Sequence, residues 1–201
     1  MDYFQSTNVL TQEDYSLLMQ AKEPFYSERG PGCIIINADG HTSTVKTDLK
    51  GLPTDQHSIF NFTMDIEKYS IKYPPIFLKL LYNIKNCFEN NGLKNAKPYL
   101  CRTYRNNKTI NWHKHAILKN VKPKNWYCCI YYMHENWDVK YKGALRVSKS
   151  EKLLGEKFDC LSNSFVTHNG FYGHSVDELI KEYEGNRDIF LTQWVMNSQN
   201  N

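Results

Sequence analysis

Trp126-Tyr127-Cys128-Cys129-Ile130-Tyr131-Tyr132-Met133 is an uncharged, aromatic and β-branched run that reads as a strand. Other short β-prone runs lie on either side of it. Tyr99–Arg105 and Thr109–Ile117 precede it; Ala144–Ser148, Ser164–Thr167 and Arg187–Val195 follow. Turn residues separate most of them. Short strands in this succession predict a sandwich or barrel, with alternating core and surface packing along the Trp126–Met133 wall. That packing explains Trp126, Tyr127, Tyr131 and Tyr132 more simply than a base-stacking platform does.

Upstream the pattern is helical. Thr11 with Asp14 three residues on resembles a capping box, and a short helix over about residues 12–22 follows. Residues 24–60, rich in Gly, Pro, Asp, Ser and Thr, read as loops with one or two strands around Cys33–Ile36. Ile76, Phe77, Leu80, Leu81, Ile84 and Phe88 recur at helical spacing between Pro75 and Gly92, which predicts a helix over 73–91. A further short helix is expected at Ser175–Tyr183, with Ser175 as its cap. The plan is α+β, mainly β, in one domain over residues 1–201. Residues 1–95 are helical and loop support, 96–196 a β-barrel core and 197–201 a tail.

The 201 residues are 41% hydrophobic and carry a formal charge of +4, enough apolar material for a core and only mildly basic. This is not the balance of a dedicated nucleic-acid binder. An acidic small molecule suits it equally well. The cysteines form no C-x-x-C pair, and adjacent Cys128 and Cys129 would point to opposite faces of a strand. They read as buried free thiols in a reducing compartment. The opening Met1-Asp2-Tyr3-Phe4-Gln5 shows no signal pattern and no apolar run approaches a membrane span, so a soluble, cytoplasmic protein is expected.

Chemistry concentrates in Asn111-Trp112-His113-Lys114-His115. On a strand, His113 and His115 share one face, and two imidazoles so placed are ready to chelate an ion. Taken alone, the pattern more often describes two solvent-facing histidines beside a lysine. A third ligand from a distant strand would complete a facial set with open positions. His174 and His168 are the candidates, and the Gly173-His174-Ser175-Val176 context favours His174. His41, His57 and His134 have no partner spacing. Lys114, Lys119, Lys122 and Lys124 read as a solvated loop face that can also steer anions.

From about residue 98 to 196 the chain resembles the iron(II)/2-oxoglutarate oxygenases, most closely the prolyl-hydroxylase-like group. The ordered set carrying this is Cys101-Arg102-Thr103-Tyr104-Arg105, Trp112-His113-Lys114-His115, Ile130-Tyr131-Tyr132-Met133-His134-Glu135-Asn136-Trp137-Asp138, Lys142-Gly143-Ala144-Leu145-Arg146-Val147, Gly173-His174-Ser175-Val176 and Arg187–Trp194. The resemblance implies a double-stranded β-helix (jelly-roll, cupin-like) barrel, with iron(II), 2-oxoglutarate and O2 as cofactor and cosubstrates. It implies His113, His115 and His174 as metal ligands, Arg187 and Tyr104 as contacts to 2-oxoglutarate, and Arg146 and Lys114 as candidates for facing the substrate. A guanidinium grips a carboxylate through two parallel hydrogen bonds, and the chain has only five arginines.

The chain departs from the pattern at the second ligand, normally Asp or Glu and here His115. Three neutral imidazoles leave a divalent ion its full charge and suit iron, zinc, copper or nickel, so another divalent metal is admissible. Nothing in the sequence brings Glu135, Asp138 or Asp177 to the metal. Two other functions stay open. One is a three-histidine metalloenzyme without 2-oxoglutarate, a cupin-type dioxygenase or zinc enzyme. The other is a degenerate barrel used only for binding. The substrate, small-molecule or peptidyl, and the oligomeric state are not legible.

Overall fold

The computed structural model describes residues 2–27, 33–36, 42–45, 60–62, 75–106, 109–114, 125–150, 155–183, 185 and 187–196. Strand β1 (Tyr3–Thr7) leads into helix α1 (Gln12–Ser27). Three short strands follow, β2 (Cys33–Ile36), β3 (Thr42–Val45) and β4 (Phe60–Phe62), and then helix α2 (Pro75–Asn90). The rest is β: β5 (Ala96–Asn106), β6 (Ile110–His113), β7 (Trp126–Tyr132), β8 (Leu145–Ser148), β9 (Glu156–Phe158), β10 (Ser164–Asn169), β11 (Gly173–Val176) and β12 (Arg187–Met196).

Local chemistry sets both helix boundaries that the sequence marks. Thr11 Oγ1 accepts from the Asp14 backbone N–H at 3.2 Å and donates to the Asp14 carboxylate at 2.8 Å. Lys79 of α2 donates to the same carboxylate, tying the helices together. At the other end of α2, Gly92 adopts φ +80° and the Leu93 N–H returns to the Phe88 carbonyl at 2.9 Å. This left-handed closure is one that glycine makes without a Cβ penalty.

Ten of the strands form two antiparallel sheets, ordered β1-β10-β7-β12-β5-β4 and β6-β11-β8-β9. One face of the larger sheet presents Tyr127, Cys129, Tyr131, Phe165, Phe190 and Trp194 to Leu18, Phe77, Leu80, Ile84 and Phe88 of the helices. Its other face presents Cys128, Ile130, Tyr132, Val166 and Leu191 to Leu145, Val147 and Val176 of the smaller sheet. The molecule is therefore helices, large sheet, small sheet, with the second core inside the barrel. Every residue of β7 is buried. The expected core-and-surface alternation is wrong there, because the helices cover the face that a free-standing barrel would leave to water. Cys128 and Cys129 do face opposite ways.

Two further expectations change. Ser175–Tyr183 is not a helix. Ser175 and Val176 pair with Arg146 and Leu145, and the chain beyond stays bonded to the preceding turn. Asp177 N–H donates to Ala144 O, Glu178 O accepts from Gly143 N–H, and Ile180 N–H donates to Tyr141 O. These long-range bonds outweigh a weak local cap. Upstream, Tyr3–Thr7 is a strand on the edge of the large sheet, paired with β10, where the sequence suggested none. Among the described residues, no helix is long and apolar enough to cross a membrane.

Candidate functional site

His113 closes β6 and lies directly opposite His174 in the antiparallel register with β11. Directly opposed residues put their side chains on one face, and the two imidazole centroids are 4.2 Å apart. The flanking residues interlock on the other face. A Cβ on Gly173 would lie 2.4 Å from the Trp112 indole, so only glycine lets that ring sit against β11. His113 Nδ1 is 2.9 Å from the Asn111 carbonyl. A carbonyl only accepts, so Nδ1 carries a proton and donates there. His113 is half-buried and Lys114 exposed, so the pair reaches the surface at this end of the barrel.

His115 lies outside the described residues. Among those described, no group of three His, Cys, Asp or Glu side chains is set to hold a metal. The structure thus brings together two of the three expected ligands. It adds a neighbour, His168 on β10, fully buried, with its ring 4.8 Å from that of His174. Burial pushes the His168 pKa down to about 4, so the ring is neutral at ordinary pH.

Arg187 opens β12 and is 2% exposed. It alternates with Ile189 and Leu191, which belong to the barrel interior, while Phe190 and Trp194 face the helices. Its Nη1 donates to the Gly143 carbonyl at 3.3 Å. Gly143 has φ +73°, and a Cβ there would strike Leu179 at 2.6 Å, so the turn that crosses Arg187 depends on glycine. Arg187 also sets the field at Tyr132 and Cys160. Burial raises the Tyr132 hydroxyl well above its ordinary range, and the Arg187 charge opposes this. Cys160 is pushed up to about 11, again by burial against Arg187. Tyr132, which by sequence reads as a packing residue, is thus a polar group beside the guanidinium.

The other candidates separate. For Tyr104 only the backbone is described. It pairs with Ile189, which also pairs with Tyr132, so the three positions form one row across the sheet. Arg146 lies between the inward-facing Leu145 and Val147 and so points outward, where its Nε bonds Asp177 at 2.7 Å. It does not face the barrel interior, and Asp177 is engaged there too. A hollow of about 270 Å³ between α1 and the residues after β7, lined by Tyr15, Glu135 and Asn163, involves none of the candidate residues.

A buried arginine and a histidine pair lie on inward-facing rows of strands around one apolar interior, and their chemistry suits a small dianion and a metal ion. The donors fit a first-row divalent ion: imidazoles on facing strands, one with its tautomer held by a backbone carbonyl. The fold is like that of solved 2-oxoglutarate/iron(II) oxygenases, prolyl hydroxylases among them: a double-stranded β-helix with supporting helices. A prolyl-4-hydroxylase from Pseudomonas putida matches over 98% of this chain and 94% of its own, at 11% identity and TM-score 0.60. A prolyl hydroxylase from Trichoplax adhaerens, solved with a hypoxia-inducible-factor peptide, matches over 98% and 88%, at 12% identity and TM-score 0.56. The non-haem α-ketoglutarate-dependent carbocyclase SnoK of nogalamycin biosynthesis matches over 96% and 79%, at 9% identity and TM-score 0.64. No family model and no curated protein matches the sequence.

Proposed function

We propose that this protein is a 2-oxoglutarate-dependent oxygenase that oxidises, by hydroxylation, a C–H bond of a small-molecule or peptidyl substrate. The observation that carries the reading is the joint placement of His113 beside His174 and of a buried Arg187 on the same barrel interior. A guanidinium can grip a carboxylate through two parallel hydrogen bonds, so a dicarboxylate is a fitting ligand for Arg187. His113, His115 and His174 would hold the metal. Arg187, with Tyr132 and Tyr104 from the adjoining row, would hold the far carboxylate of 2-oxoglutarate. Bound there, iron(II) supplies oxygen activation coupled to oxidative decarboxylation of 2-oxoglutarate to succinate.

The protein's own part is positioning and dryness. Ile130, Leu145, Val176 and Leu191 surround the interior with hydrocarbon, which excludes water and strengthens the ionic contact to Arg187. Lys114, exposed beside the histidines, is placed to attract an anionic substrate.

The test is 2-oxoglutarate binding and succinate formation in wild type and Arg187→Met. Losing a charge-assisted bidentate contact of about 1.5–3 kcal/mol weakens 2-oxoglutarate roughly 10- to 150-fold. Metal binding with no response to 2-oxoglutarate in either protein would replace this reading with a three-histidine metalloenzyme that needs no oxo-acid. No metal and no turnover would leave a binding barrel.

A further inference from the structure

We infer that His168 is a ligand of the metal centre, joining His113 and His174 through its Nε2. The inference rests on the metal-binding reading above and adds to it a donor from the opposite sheet. His168 Nδ1 lies 2.9 Å from the Asn169 carbonyl. Since that oxygen can only accept, Nδ1 carries the proton and Nε2 is a bare lone pair. Nε2 is buried and has no hydrogen-bond partner among the described residues. A buried unsatisfied acceptor costs about 1–3 kcal/mol, so a fold that keeps one at a site for chemistry has a use for it.

The direction of that lone pair matters as much as its isolation. His168 pairs with Cys128, whose side chain belongs to the barrel interior, so His168 occupies the inward row of the large sheet. There its ring meets His174 at 4.8 Å, and His174 meets His113 at 4.2 Å. His113 and His168 thus flank His174 from β6 and β10, and each has its Nδ1 against a backbone carbonyl. Metal-bound imidazoles show this arrangement, with the second nitrogen held by a carbonyl that fixes tautomer and ring plane. The rings do not yet converge at ligand distance. Imidazole χ2 wells are broad, so rotation of the His174 ring between the two held rings is the movement that would bring the nitrogens onto one ion. Such an ion would link the two sheets at this end of the barrel. The set is all nitrogen and suits first-row divalent ions.

The experiment is cobalt(II) and zinc(II) titration of the full chain by calorimetry, with the cobalt absorption spectrum read alongside. Wild type is compared with His113→Ala, His115→Phe, His168→Phe and His168→Gln, each checked for folding without metal by circular dichroism. We expect His168→Phe to weaken cobalt at least about tenfold, the loss that removing even an outer partner of a ligand produces, and to alter its spectrum. Wild-type affinity and spectrum in folded His168→Phe, with loss in His113→Ala, would overturn the inference and leave the metal reading intact. That outcome makes His168 a core residue bonded to water. Absence of metal binding in wild type would overturn both. Should the His168 variants fail to fold, long-range ¹⁵N–¹H spectra of wild type decide. Zinc must move the His168 Nε2 resonance together with that of His174, and an unmoved resonance refutes the proposal.

Discussion

Replacing Lys22 by Met tests how the first helix holds the strand that carries Arg187. Lys22 Nζ is 2.7 Å from the Asp188 carboxylate and 2.5 Å from the Met133 carbonyl, and both charged side chains are 5% exposed. Asp188 adjoins Arg187, so the pair clamps α1 to the start of β12. Lys22→Met removes the ammonium partner of the buried Asp188 carboxylate, and breaking a buried ion pair in this way costs about 3–5 kcal/mol. A domain of this size has about 5–15 kcal/mol of stability in total. At roughly 2–4 °C per kcal/mol, the melting temperature falls by about 6–20 °C. Removing both charges in Lys22→Met/Asp188→Leu recovers most of this, because apolar replacement of a buried ion pair is near neutral. A residue of about 1 kcal/mol remains for the Met133 carbonyl, which loses its donor in both variants. Urea denaturation followed by tryptophan fluorescence measures all three proteins. A single variant costing under about 1 kcal/mol, or a double variant no more stable than the single, would refute the reasoning.

Two more outcomes follow from the same geometry. His134 is buried, with Nε2 2.8 Å from the Cys160 carbonyl, and burial lowers its pKa from 6.5 to about 4. The unfolded chain takes up that proton first, so the stability His134 contributes is complete above pH 6.5 and lost as pH falls towards 4. The loss amounts to about 3 kcal/mol, and His134→Gln should flatten urea stability between pH 7 and 4.5 by that order; an unchanged slope would count against it. Gly173→Ala drives a methyl into the Trp112 ring beside His174. It should lower stability by about 1–3 kcal/mol and weaken cobalt binding, with partial rescue by Trp112→Phe. Equal cobalt affinity in the variant would show that the interlock does not position the histidine.

Much of this protein was legible one residue at a time. The Thr11–Asp14 cap, the apolar stripe from Ile76 to Phe88 and the Gly92 stop are local signals, and the structure places α1 and α2 on them. The strand runs after residue 96 were legible because β-propensity and turn residues are also short-range. Arg187 was singled out by the family resemblance, and the structure buries it. What failed was whatever depended on a second surface. Trp126–Tyr132 carries no mark that helices will cover its outer face. Ser175–Tyr183 has a cap but loses to hydrogen bonds from residues 141–144. Arg146 looked like a substrate contact until register turned it outward to Asp177. His168 was the weaker of two distal candidates by sequence context, since nothing local shows that β10 and β11 bring its ring to 4.8 Å from His174. Sequence alone marked the two helices and most of the strands, and it singled out the residues proposed for metal and carboxylate chemistry. Only the tertiary structure decided which faces are wet and which of those residues meet, because side-chain direction in a sheet is set by pairing and burial between segments far apart in the chain.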